Sequence, residues 1–133
     1  MTQPPRAVIV FDGEGAREPI VFVDLPSAAG WMEAIDVEEG SYEETAWFDD
    51  GEIIQIDVEL VARADLRVKL TPTGRRDLPA LRQALARTHP ALVDADVAAI
   101  QAFTAADLTA QDDWKASRWH RRLSRWLLRR SPN

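Results

Sequence analysis

A chain of 133 residues with 46% hydrophobic and 29% charged content has the size and composition of one soluble globular domain, and the absence of cysteine excludes disulfides and thiolate metal sites. No apolar run approaches the roughly 18 residues that span a bilayer, and the short run at 7–11 cannot form a signal-peptide core, so one cytoplasmic domain over 1–133 is expected. The formal net charge of −6 conceals a gradient: residues 1–59 hold 15 acids and two bases, 60–114 hold seven of each, and 115–133 hold seven bases and no acid. Such asymmetry points to charged partners or to internal charge pairing.

AVIVF (7–11) and PIVFVD (19–24) are β-branched and aromatic runs joined by the turn-forming DGEGARE, which predicts a hairpin with a long loop. Both runs are apolar on both faces, as in central or doubly covered strands. DLPSAAGWMEAI follows, with Asp24 as a helix N-cap and Pro26 in the first turn. After TAWF (45–48), Asp50-Gly51 is a strong hairpin signal. IIQIDVELV and LRVKL then alternate, with Ile54, Ile56, Val58 and Leu60 on one face and Leu66, Val68 and Leu70 predicted to join them inward. Matching these faces sets Glu59 opposite Arg67 and Asp57 opposite Lys69, two cross-strand charge pairs, with an odd-length loop around Arg63. TPTG (71–74) reads as a turn. DLPALRQALARTH repeats the Asp-Leu-Pro start and carries Leu78, Leu81, Ala84 and Leu85 as its apolar stripe, ending at His89-Pro90. DADVAAIQAF (94–103) reads as a short helix capped by Asp94, and Thr104 or Thr109 as the cap of a last helix at about 109–130. The order predicts an α+β domain: an antiparallel sheet of about four to five strands with the C-terminal helices packed on one face.

Two charged segments are candidates for function. Residues 36–52 carry Asp36, Glu38, Glu39, Glu43, Glu44, Asp49, Asp50 and Glu52 without one base. This segment is a surface for a basic partner, with Tyr42 and Trp47 as aromatic anchors, a weak magnesium site, or a solvated loop. Strand alternation lets only one of Trp47 and Phe48 point inward. The spacing fails the EF-hand pattern, and adjacent strand carboxylates face opposite ways, so they make a poor acid–base pair. His89 suits a helix C-terminus, where it can bond the last carbonyls. No nucleophile spacing or phosphate-binding glycine loop is present. The chain is therefore expected to be no enzyme and to need no cofactor or metal.

The second segment, WKASRWHRRLSRWLLRR (114–130), places Ala116, Trp119, Leu123, Trp126 and Leu127 on one helical stripe. Arg118, Arg121, Arg122, Arg125 and Arg129 fall on the other side. Four roles stay open: docking on the protein's own sheet, lying on an anionic membrane, entering a partner's groove, or binding nucleic acid. The last is disfavoured by the acidic body, and no nucleic-acid partner is expected.

The stretch AGWMEAIDVEEGSYEETAWFDDGEII (29–54), about a fifth of the chain, resembles small, largely uncharacterised bacterial proteins in which a helix ends in YLEAIDVENGEY before AYD-DGR. These are likened to immunity proteins of polymorphic toxin systems. Met32 stands at the usual leucine, Glu39 at the usual asparagine and Glu52 at a usual base. The resemblance implies that Ala34, Ile35, Asp36, Val37, Glu38 and Gly40 form a helix-to-strand junction. It also implies a protein that neutralises a cognate toxin through its acidic surface. The alternative is a regulatory or scaffold module whose basic C-terminal helix binds a membrane or a partner.

Overall fold

The computed structural model describes residues 6–13, 17–32, 37–38, 40, 42–63 and 65–111. Five strands form one antiparallel sheet in the order β2-β1-β3-β4-β5. They are β1 (Val8–Phe11), β2 (Pro19–Phe22), β3 (Thr45–Phe48), β4 (Glu52–Ala62) and β5 (Asp65–Arg76). Helix α1 (Leu25–Trp31) follows β2, and α2 (Leu78–Ala86), a 3-10 turn (Pro90–Leu92) and α3 (97–111) follow β5. This is the expected α+β class.

The helices divide between the two faces. Alternation along β1 sends Val8 and Val10 to one side, where they pack with Ala28 and Met32 of the α1 region, Ala46, Phe48 and Ile54. Ile9 and Phe11 go to the other side, with Trp47, Leu81, Leu85 and Ile100 under α2 and α3. The C-terminal helices thus share one face, and α1 covers the opposite one. This is why β1 is buried along its whole length, whereas β2, at the edge, alternates. It also removes the expected choice between Trp47 and Phe48. They point opposite ways, and both are buried because both faces are covered.

The repeated Asp-Leu-Pro works as read. Asp24 accepts from the Ser27 N–H at 2.8 Å, Asp77 accepts from the Ala80 N–H at 3.1 Å, and a proline occupies the first turn of each helix. Three other local readings are corrected. Asp96, not Asp94, caps α3, accepting from the Ala99 N–H at 2.8 Å. Thr104 and Thr109 start no new helix. Both lie inside α3, where their hydroxyls donate back to the Gln101 and Ala105 carbonyls. His89 bonds the Thr88 hydroxyl and sets its ring edge-on to Phe103 at 4.8 Å, so its side chain packs α2 against α3 rather than capping carbonyls.

The β4–β5 register agrees with the charge pattern, Glu59 opposite Arg67 and Asp57 opposite Lys69. The ion pairs themselves are shifted: Lys69 reaches Glu59 at 3.7 Å and Arg67 reaches Asp65 at 3.3 Å. Diagonal and same-strand partners lie within reach of long side chains on a twisted ribbon, and all four groups are well exposed, so each pair contributes under about 1 kcal/mol. The expected odd loop around Arg63 is replaced by a register shift between Leu60 and Ala62, which brings Ala62 opposite Asp65. TPTG is not a turn. Strand β5 runs through it, with an irregularity where Thr73 donates to the Ile53 carbonyl at 2.7 Å and Gly74 takes φ +73. Pro72 is tolerated because β5 is an edge strand.

Candidate functional site

The β3–β4 turn brings together three of the acids singled out in the sequence. Gly51 makes the turn possible with φ +89, and a Cβ there would sit 3.1 Å from Leu78 Cα. The Gly51 N–H donates to the Phe48 carbonyl, and the Gly51 carbonyl accepts from the Asp77 N–H, both at 3.0 Å. The turn is thereby tied to the start of α2.

Each carboxylate on the turn has a different environment. Asp49 is 6% exposed. Its Oδ2 accepts from the Ala7 N–H at 3.2 Å, while Oδ1 has no hydrogen-bond partner among the described residues. Burial pushes this carboxyl up, against the Ala7 N–H and the nearby Gln101 amide, which favour the charged form. Asp50 accepts from the Glu52 N–H through Oδ1, and from Arg6 at 3.1 Å and Arg76 at 3.0 Å through Oδ2. Burial alone would raise it, but these donors together hold it below the usual range. Glu52 accepts from Arg6 at 2.6 Å and from the Gly74 N–H at 3.1 Å, and the Arg6 bond leads in holding it low. Burial works against the charge on Arg6, but Glu52 and Asp50 outweigh it and raise its pKa. The Arg6 guanidinium also lies 3.7 Å from the Phe48 ring centroid.

The remaining acids do not join this group. Glu43 is bound by Arg87, which also donates to the Ala84 carbonyl at the end of α2 and lies over Phe11. Tyr42 is half-buried against the α1-side core and bridges to Asp12. Trp47 is 8% exposed and belongs to the core beside Ile9, Phe11 and Leu85. Glu38 and Glu44 are exposed and form no ion pair among the described residues. Asp36 and Glu39 lie outside the described residues, as do Ala34 and Ile35 of the junction and the whole basic segment with Arg118, Arg121, Arg122, Arg125 and Arg129. Among the described residues, no group of three histidine, cysteine or acidic side chains is placed to hold a metal ion, and no helix is long and apolar enough to cross a membrane.

The neutralising partners Arg6, Arg76 and Arg87 are the residues that sequence reading missed. Arg6 is 44 residues from Asp50, and Arg87 is 44 from Glu43. No local pattern marks such pairs. A second feature also escaped it: Leu60 (67% exposed), Val61 and Leu66 are left open near the end of the β4–β5 ribbon. The alternation placed Leu60 and Leu66 on the core-facing side, but the ribbon outruns α1, the helix on that face. Comparison with family models, curated proteins and solved structures finds no match to this chain.

Proposed function

We propose that this chain is a non-enzymatic binding protein of the immunity type, which neutralises a cognate bacterial toxin by setting carboxylates against a basic cleft. The observation that carries the reading is the contrast within one acidic segment. Glu43, Asp50 and Glu52 are already matched by arginines of the same chain, whereas Glu38 and Glu44 face solvent without an ion pair among the described residues. Tyr42 stands between them, with its ring anchored on the α1-side core. Charges free of internal partners are the ones that steer and orient a basic partner. An aromatic held in place adds contact area at little entropic cost. The resemblance of 29–54 to proteins likened to immunity proteins supports the same reading.

The test is co-expression with the toxin encoded beside the gene. The wild-type chain protects the cell, and the Glu38→Lys/Glu44→Lys variant, folded by circular dichroism, loses protection. A wild-type chain that gives no protection against that toxin sinks the reading.

A further inference from the structure

The residues that precede β3 do not continue its ladder with β1. Ile9 stands opposite Trp47, and an unbroken register would set Asp12 opposite Glu44. Asp12 instead bridges Tyr42. Residues 43–46 therefore span the interval that residues 10 and 11 span on β1, a bulge of two extra residues. A bulge interrupts the ladder and re-aims the side chains it carries. Contacts other than the ladder have to hold it.

Arg87, the C-cap of α2, supplies such contacts from outside the sheet. Its guanidinium binds the Glu43 carboxylate, donates to the Ala84 carbonyl at 3.1 Å and lies 5.1 Å from the Phe11 ring centroid. The Glu43 N–H donates to the Phe11 carbonyl at 3.0 Å. Glu43 is thus fixed twice, through its backbone on Phe11 and through its carboxylate on the arginine above the Phe11 ring. Phe11 itself is fully buried.

A lone half-exposed ion pair contributes little. This one is tied at both ends. The planar guanidinium serves two acceptors and a ring at once, which the point charge of a lysine cannot do. The negative end of the α2 dipole also favours a cation there. Glu43 is thereby turned to α2, and its neighbour Glu44 is left exposed.

We propose that Arg87 is the positioning residue of the partner surface: by pinning Glu43 it holds the bulge in the shape that leaves Glu44 in solvent. Glu43 is then an anchor, and the basic group of the partner meets Glu44. The purpose of the hold rests on the immunity-type reading, whereas the hold itself exists without a partner.

Amide hydrogen exchange of the full chain, followed by NMR, tests the hold. Arg87→Ala speeds exchange at the Glu43 N–H by about tenfold or more, while the core amides of Trp47 and Ile54 change far less. Glu43→Gln, which leaves Arg87 its other contacts, gives the same local pattern, and the double variant adds nothing to it. Exchange at Glu43 that does not change, or that rises only in step with Trp47 and Ile54, overturns the proposal. Binding to the toxin encoded beside the gene tests the purpose. Arg87→Ala weakens binding by the wild-type chain and has no effect on a Glu44→Gln background. Equal weakening on both backgrounds overturns the proposal. A wild-type chain that does not bind the toxin sinks the immunity-type reading alone, and the exchange result still decides the hold.

Discussion

Asp49 and Ala7 are joined twice: the Asp49 N–H donates to the Ala7 carbonyl at 3.1 Å, and Asp49 Oδ2 accepts from the Ala7 N–H at 3.2 Å. A side-chain oxygen thus takes the acceptor's place in what would be a strand-to-strand bridge, and locks the start of β1 to the β3–β4 turn. The carboxylate serves the architecture, and its second oxygen has no hydrogen-bond partner among the described residues.

That geometry gives a pH dependence of definite sign. Burial leads in raising the Asp49 carboxyl above the ordinary 3.8. A raised acid is neutral in both states at low pH, so it costs nothing there. As pH climbs from the unfolded value through the folded one, the unfolded state gains by ionising first, and stability is lost. Asp49→Asn keeps an acceptor for Ala7 and carries no charge. Its melting temperature is expected to exceed the wild type's at pH 7, with the gap closing toward pH 3. A gap independent of pH contradicts the assignment.

Asp50 and Glu52 run the other way. Both are held below their ordinary 3.8 and 4.5, with Arg6 a donor to each. Their contribution is complete above those values and is lost as pH falls through the lower folded values. Arg6→Ala leaves Glu52 without its principal partner, at a cost of about 1–3 kcal/mol in urea unfolding at pH 7. The difference shrinks in acid. The Arg6→Ala/Glu52→Gln double variant recovers part of the loss, because the carboxylate is then no longer charged.

Gly51→Ala tests the turn itself. The residue sits at φ +89 with Leu78 Cα 3.1 Å from the new methyl, so strain and contact add. The expected cost exceeds about 1 kcal/mol. Gly40, also at positive φ but with open space around it, suffers only the backbone part on the same substitution.

Position on the sheet predicts two very different costs. Leu85→Ala removes a fully buried side chain between the sheet and α2 and is expected to cost about 2–5 kcal/mol. Glu59→Gln removes one partner of an exposed pair at 3.7 Å and is expected to change stability by less than about 1 kcal/mol. Denaturant midpoints of the two variants check both.

Short-range physics was legible before any coordinates. The strand positions of β1, β2 and β3 follow from short β-branched and aromatic runs, the Asp24 and Asp77 caps from cap chemistry, and the β4–β5 register from period-2 alternation and matched charge. These depend on residues a few positions apart or on one hairpin. The misses are of another kind. Asp94 and Asp96 are equivalent as letters, and only the fold shows that the second caps α3 while Ala95 between them is buried in the core. TPTG carries turn residues, yet β4 offers it partners in the Ile53 carbonyl and the Glu52 carboxylate.

The acidic segment marks the same division. Its composition alone determined that this protein holds many carboxylates with no local counter-charge. Only the tertiary structure decided which of them remain available. Folding brought Arg6, Arg76 and Arg87 across 26 to 46 residues of sequence to Asp50, Glu52 and Glu43, and left Glu38 and Glu44 in solvent. Charge pairing acts over a few ångströms in space, whatever the separation along the chain. Sequence therefore counts the charges, and the fold assigns them their partners.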